Sequence, residues 1–292
     1  MVKKYCTILI GKISMAELIH MRQRIKTVET IKKITHAMRL VSMSAHAKLN
    51  KQYNAIAVYH AGITNILTHI KQASALLSPQ KTNLTPDRTL LIVIGSQKGL
   101  CGSFNSTLFH ALDNYIIKIN QGLQIISVGK KMVDYVQEKY KALSIQPFPH
   151  LTPANASAIA HTITDRIFMA NHVYTTVTVL SNAQKNFFIQ TPRIAPLLPV
   201  PVQHDTQNTL AHDYTWDVDP QALVEHLTKQ YISSAIHKAL LESLLAEHAA
   251  RFVSMDSSTR NAEKILETTR LKYNKLRQAK ITKELLELAD TF

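Results

Sequence analysis

Two cysteines, Cys6 and Cys101, are all that 292 residues contain. They cannot build a disulfide framework, and no CxxC spacing supports a zinc site, so a reducing compartment is the economical reading. Long apolar runs are missing too: even TLLIVIG at residues 89–95 stops after seven, against the ~18 to 20 needed to span a bilayer. Glycine (7) and proline (10) are scarce, and 20 acidic residues face 34 basic ones, a formal charge of +14. With 46 % apolar and 18 % charged residues, collagen-like and highly charged disordered readings are excluded. The length suits one large domain or two smaller ones.

The basic excess is uneven. Residues 1–70 hold 11 basic and 2 acidic side chains, residues 71–220 hold 12 and 9, and residues 221–292 hold 11 and 9. Such a surplus implies a polyanionic partner, and charge alone leaves open nucleic acid, an anionic membrane surface or an acidic protein face. Arg22, Arg24, Lys26, Lys32, Lys33 and Arg39 could grip phosphates, with strongly salt-dependent binding. No base-stacking aromatics accompany them, and a solvated helix face is the ordinary outcome for such a run.

All 10 prolines lie between Pro79 and Pro220, and Gly11 and Gly62 are the only glycines outside the interval from Gly95 to Gly129. Both ends are therefore free to form long helices. From Ala16 to about Ile70, apolar side chains recur at Leu18, Met21, Ile25, Val28, Ile31, Ile34, Met38, Val41 and Ala45, a single helical stripe. Its run of threes from Val28 to Ile34 predicts local overwinding of any coiled coil. After Pro220, Met255, Thr259, Ala262, Leu266, Thr269, Tyr273 and Leu276 alternate steps of four and three, which is coiled-coil spacing. Asp217 or Asp219 is a candidate cap for this helix, with Pro220 in its first turn. Amphipathic helices this long need partners, and the two predict an antiparallel pair. Its second strand is rich in Ala, Ser and Thr rather than Leu, so it buries less apolar area than a leucine zipper.

The middle has a different period. Residues 89–95, 123–128 and 173–180 are apolar, β-branched runs, and helical patterns cover residues 107–120, 130–141 and 154–171. Alternating strands and helices predict an α/β layer with a mainly parallel, Rossmann-like sheet. Residues 186–191, after Ser181-Asn182, read as a hairpin partner at one edge. The stretch 192–220, with five prolines and four acidic residues, reads as a loop. The division that follows is 1–14, an extension or misassigned start; 15–70, an N-terminal coiled-coil helix; 71–220, the central α/β domain with its Pro-rich connection; and 221–292, a C-terminal coiled-coil helix.

The conspicuous local feature is GSQKGLCGS at residues 95–103, placed between a strand and a helix as phosphate loops are. It fits neither GxxxxGK[ST] nor GxGxxG, and a tight turn is favoured over a nucleotide site. Cys101 could be a reactive thiol near a helix N-terminus, with a small, buried side chain the stronger default. Fourteen histidines form no HExxH, and His36, His46, His60 and His69 are scattered rather than clustered. No GxSxG elbow or paired carboxylates can be identified. Three classes of function remain in view: an interaction subunit, a nucleic-acid binder using the basic helix, and a nucleotide-binding α/β enzyme centred on residues 96–103.

Three ordered blocks then carry a specific likeness. MAELIHMRQRIKTVETIKKITHAMRLVSMSAHAKL (residues 15–49), GLCGSFN (99–105), and EHAARFVSMDSSTRNA with YNKLRQAKITKELLEL (247–262 and 273–288) together resemble the gamma subunit of F-type ATP synthases over essentially all of residues 15–288. The resemblance implies an antiparallel coiled-coil shaft turning inside a ring of alternating alpha and beta subunits, driven by proton flow through a membrane ring. Catalysis would belong to beta, so the chain would be non-catalytic and need no cofactor or metal.

The resemblance also implies site residues. Met38 would lie near the acidic lever of beta. Arg251, Arg277, Gln278, Thr282 and Glu284 would meet the alpha/beta ring, and the basic residues from Arg22 to Arg39 would face an acidic protein rather than nucleic acid. Gly99, Leu100, Cys101 and Gly102 form the family's marker turn. Residues 196–220, with Tyr214 and Trp216, resemble the foot that meets the c-subunit ring and the epsilon subunit. Membrane association would be indirect, on the cytoplasmic face of a bacterial inner membrane or the matrix face of an organellar one. This chain departs from the family in having Gln97-Lys98 where an acidic or Asp-Arg pair is common, Phe252 for a commoner methionine, and ADTF for a Gly-Ala tail.

Overall fold

The computed structural model describes residues 15–73, 88–119, 122–169, 174–199 and 220–289. Two helices are far longer than the rest: α1 (Met15–Ala73, 59 residues) and α5 (Pro220–Ala289, 70 residues). Between them run β1 (Thr89–Ile94), α2 (Phe104–Lys118), β2 (Leu123–Val128), α3 (Lys130–Lys139), β3 (Ser144–Phe148), α4 (Ala156–Met169), β4 (Thr176–Asn186) and β5 (Ile189–Leu198). The chain divides into two compact units, residues 42–251 and the two segments 1–41 and 252–292.

In the larger unit the five strands lie in the order β3-β2-β1-β4-β5, parallel except for the antiparallel β4–β5 hairpin. This is the α/β class read from the sequence. Alternation along β1 sorts its side chains by face. Leu90, Ile92 and Ile94 pack with α1, α4 and α5, through residues such as Leu67, Ile163 and Leu240. Leu91 and Val93 pack with Leu108 and Leu112 of α2 and Met132 and Val136 of α3. With both faces covered, β1 reads as a continuous apolar run, as central parallel strands do.

The edges differ from the sequence reading. The turn expected at Ser181-Asn182 is absent, and β4 continues to Asn186. Both polar residues are buried, and Asn182 donates through Nδ2 to the Phe104 carbonyl at 2.7 Å, so a turn-forming side chain is used instead to tie the strand to α2. The turn falls at Phe187-Phe188, where the Asn186 carboxamide oxygen accepts from the Phe188 and Ile189 amides (3.0 and 2.8 Å), an Asx arrangement. The expected loop from residue 192 begins instead as strand: β5 runs on to Leu198 through Pro192 and Pro196, tolerated because an edge strand need not donate on its open side. β3 was not legible as a strand, being short, half-buried and interrupted by Pro147.

In the smaller unit, residues 15–41 of α1 and 252–289 of α5 run antiparallel. The seam of α5 is the expected one, with Met255, Thr259, Ala262, Leu266 and Thr269 all buried. That of α1 is not. Ile31, Ile34 and Val41 are 46, 53 and 67 % exposed, whereas Thr35 and, just beyond the unit boundary, Ser42 are buried. The half-buried Val28 and the buried Thr35 are seven residues apart, so the line of burial steps by a heptad past the run of threes. Cross-helix polar contacts explain the choice. Thr259 donates to the Thr35 hydroxyl at 2.9 Å, Arg39 to Asp256 at 2.6 Å, Lys32 to Glu263 at 3.0 Å, and Arg270 pairs with Glu29.

Residues 1–14, the candidate caps Asp217 and Asp219, and the foot residues Tyr214 and Trp216 lie outside the described residues.

Candidate functional site

The glycine-rich turn at residues 95–102 stands at the C-terminal end of β1. From there the chain passes through α2 to β2 and β3 on one side, and only later through α4 to β4 on the other. A parallel sheet has its crevice at such a reversal. Two glycines make the close approach possible. A Cβ on Gly129 (φ +90) would lie 2.4 Å from the Gly95 carbonyl oxygen, and one on Gly95 would lie 2.6 Å from the Met132 Cβ. Gly102 has φ 59, and Leu100 has φ 64 with its side chain 61 % exposed, a left-handed conformation unusual for a branched residue.

What holds the turn is a buried ion pair from α5. The Glu247 carboxylate accepts from the backbone amides of Gln97 (3.0 Å) and Lys98 (3.3 Å) and pairs with Arg251 one turn along. Arg251 donates in turn to the carbonyls of Lys98 (3.1 Å) and Gly99 (3.3 Å). Both side chains are almost wholly buried. Such a pair persists only when its remaining donors and acceptors are satisfied, and here the turn's backbone satisfies them. Cys101 packs with Phe104, Ala246 and Ala250. Burial, reinforced by Glu247, pushes its thiol up from the ordinary value, which favours the packing reading over a reactive thiolate. Gln97, part of the Gln97-Lys98 departure from the family pattern, accepts from the Leu151 amide at 3.1 Å and so joins the turn to the loop before α4.

The sequence-predicted residues therefore separate. Arg251 is an internal brace rather than an exposed contact. Lys32 and Arg39 turn toward α5, where they meet Glu263 and Asp256, Lys32 in a surface pair; Arg22, Arg24, Lys26 and Lys33 of the basic set are exposed. Asp256 is shared between Arg260 and Arg39, whose hydrogen bonds hold its carboxyl below the usual range. Met38 is half-buried, and Arg277, Gln278, Thr282 and Glu284 lie exposed along the last turns of α5, with the Thr282 hydroxyl donating to the Gln278 carbonyl (3.0 Å) and Lys280 pairing with Glu284 (3.5 Å). Hydrophobic periodicity does not single out Glu247, although a Glu-x-x-x-Arg spacing inside an apolar helix was the available signal. Thr35 and Asp256 carry none beyond their polarity. Among the described residues no cluster of His, Cys, Asp or Glu is arranged to hold a metal ion, and no helix is long and apolar enough to cross a membrane.

These features define a class: an α/β domain inserted in sequence between two long helices that pair antiparallel, with the turn after β1 held by a buried carboxylate of the C-terminal helix. The model of the ATP synthase family matches residues 17–291. The ATP synthase gamma chain of Amoebophilus asiaticus is 33 % identical over 279 residues, covering 91 % of this chain and 94 % of that protein. That of Rickettsia akari is 33 % identical over 284 residues, covering 94 % and 98 %. The chain belongs to the ATP synthase gamma chain family. In fold it is similar to the rotor of the Euglena gracilis mitochondrial ATP synthase (TM-score 0.64, 18 % identity, 92 % of this chain and 100 % of that one). It is also similar to the central stalk of the Tetrahymena thermophila enzyme (TM-score 0.57, 22 % identity, 77 % and 98 %).

Proposed function

We propose that this chain is the central-stalk rotor subunit of an F-type ATP synthase. It transmits torque between a proton-driven membrane ring and the conformational changes of the catalytic beta subunits, and carries out no bond chemistry itself. The observation that carries the reading is the polar-laced antiparallel seam of α1 and α5, in a chain of the gamma family. A shaft must resist twisting, and hydroxyl and ion-pair contacts that occur only in one register oppose sliding of one helix along the other. It must also turn without settling at one angle, which suits scattered exposed side chains better than a broad apolar patch.

In this reading Met38, Arg277, Gln278, Thr282 and Glu284 meet the alpha/beta ring, and the exposed Arg22, Arg24, Lys26 and Lys33 face the acidic lever of beta. Lys32, Arg39 and Arg251 act inside the chain and set the geometry of those contacts. Tyr214 and Trp216 belong to the foot that meets epsilon and the c-subunit ring. The chain sits peripherally, on the cytoplasmic face of a bacterial inner membrane or the matrix face of an organellar one.

Native mass spectrometry of the assembled complex is expected to find one copy per three catalytic subunits. Replacing Met38 by Lys is expected to lower proton pumping per ATP hydrolysed while hydrolysis persists. A different stoichiometry overturns the rotor reading; unchanged pumping per ATP overturns the Met38 contact.

A further inference from the structure

We propose that Glu247 is the resident anion of the turn at residues 95–102: it fills from within the place an anionic ligand takes in other open α/β sheets, and so acts as the positioning residue that ties α5 to the end of β1. The inference rests on the rotor reading for its functional consequence and on geometry alone for the rest.

A glycine-rich turn after the first strand of a parallel sheet leaves backbone amides pointing into the crevice beside the strand reversal, and in related architectures a phosphate oxygen accepts them. Here the amides of Gln97 and Lys98 point at Glu247, one to each carboxylate oxygen (Oε2 at 3.0 Å, Oε1 at 3.3 Å). Space beside it is filled by Cys101, Phe104, Ala246 and Ala250. Arg251 supplies the counter-charge that a bound anion draws from its site, and its other donors close on the carbonyls of Lys98 and Gly99. While the carboxylate is in place, neither amide is available to a nucleotide phosphate.

The same bonds have a mechanical meaning. The Ala246 and Ala250 side chains on either side of Glu247 are small, so α5 lies close against the turn but gains little apolar grip there. Charge-assisted hydrogen bonds in a buried setting are stiff and directional. They hold α5 to the sheet just before it continues past Arg251 toward Ala289. Torque entering the α/β domain would thus reach α5 through Glu247 as well as through core packing, and the exposed Lys98 and Leu100 owe their placement to the same pair.

The first test uses the full chain carrying E247A, with amide exchange read at Gln97 and Lys98 in buffer free of other oxyanions. Exchange there is expected to accelerate about tenfold or more, as for amides left without their acceptor, and added acetate is expected to restore protection where chloride at equal ionic strength does not. Unchanged exchange in E247A, or equal effects of acetate and chloride, overturns the resident-anion assignment. If E247A does not fold, E247Q replaces it; this isostere keeps one acceptor, and exchange is expected to accelerate at one of the two amides, with protection at both overturning the assignment. The second test reads the assembled complex with E247Q: protons pumped per ATP are expected to fall while ATP hydrolysis persists. Lost amide protection with unchanged pumping overturns the positioning role and leaves the rotor reading standing. A complex that lacks this chain altogether refutes the rotor reading and leaves the anion result intact.

Discussion

The hydroxyl of Thr259 donates to that of Thr35 across 2.9 Å, and both residues are buried in the seam between the two long helices. Thr35 in turn donates to the Lys32 carbonyl at 3.0 Å, and Thr259 also lies 2.8 Å from the Met255 carbonyl. A leucine pair at these positions would bury more apolar surface. The threonines instead reward one register, since a slip of a single turn separates the two oxygens.

Replacing either threonine by valine leaves the other hydroxyl without its cross-helix partner and is expected to cost about 1 kcal/mol. The double replacement T35V/T259V is expected to cost less than the sum of the two, because the one cross-helix bond is already lost in either single variant. Chemical unfolding of the four chains completes the cycle. Strict additivity would show that the hydroxyls do not interact.

The same pair explains where the sequence was legible and where it was not. Length and scarcity of proline and glycine announce both terminal helices, and the four-three spacing on α5 picks out the buried Met255 through Thr269. On α1 apolar spacing points to Ile31, Ile34 and Val41, which face outward, and does not mark Thr35 and Ser42, which are buried. Hydrophobic periodicity reads a seam only when the seam is apolar. A threonine that bonds backward to its own helix carbonyl has its polar group satisfied before any partner arrives, so burial costs little and leaves no trace in the pattern. Glu247 escaped for a related reason: the backbone amides that make its burial tolerable lie about 150 residues away in sequence, and no local pattern reports them. The marker turn was legible as a turn, while the carboxylate that occupies it was not.

His60 offers a prediction in pH. Its ring is half-buried beside Tyr231 (5.0 Å between centroids) and bonded to the Ser234 hydroxyl at 2.9 Å. Burial, helped by the nearby Lys238 charge, lowers its pKa to about 4. An unfolded histidine titrates near 6.5, so between these values the unfolded chain binds the extra proton. The contribution of His60 is present above about pH 6.5 and is lost as pH falls toward 4. H60F keeps the ring contact, and Ser234 retains the Tyr231 carbonyl as acceptor (2.9 Å). Denaturant titrations from pH 7.5 to 4.5 are expected to show a shallower loss in H60F, by about 1–2 kcal/mol once solvent access to the ring is allowed for. Parallel profiles would remove His60 as a source of the slope.

The glycines of the turn region are not equivalent. Gly129→Ala adds a Cβ 2.4 Å from the Gly95 carbonyl oxygen at a left-handed φ, and is expected to cost about 3 kcal/mol or more. Gly102→Ala meets the left-handed backbone penalty, about 1–2 kcal/mol. At Gly99 a Cβ would meet nothing within 4 Å, so G99A is expected within about 0.5 kcal/mol of the parent chain. Thermal midpoints of the three variants should therefore rank G99A above G102A above G129A. Any other order would mean that the marker glycines serve something other than backbone geometry.

Two arginines of the C-terminal helix complete the contrast between inside and outside. Arg251 is buried against Glu247 and the turn carbonyls, so R251A strands a carboxylate and is expected to destabilise the isolated chain by about 3 kcal/mol or more. Arg277 is exposed, so R277A is expected to leave the stability of the isolated chain within about 0.5 kcal/mol, while lowering proton pumping per ATP in the assembled complex. Unfolding of the isolated chain and pumping by the complex thus report different arginines. If R277A destabilised the chain as strongly as R251A, or if R251A left the chain as stable as its parent, the division of these residues into internal brace and ring contact would fail.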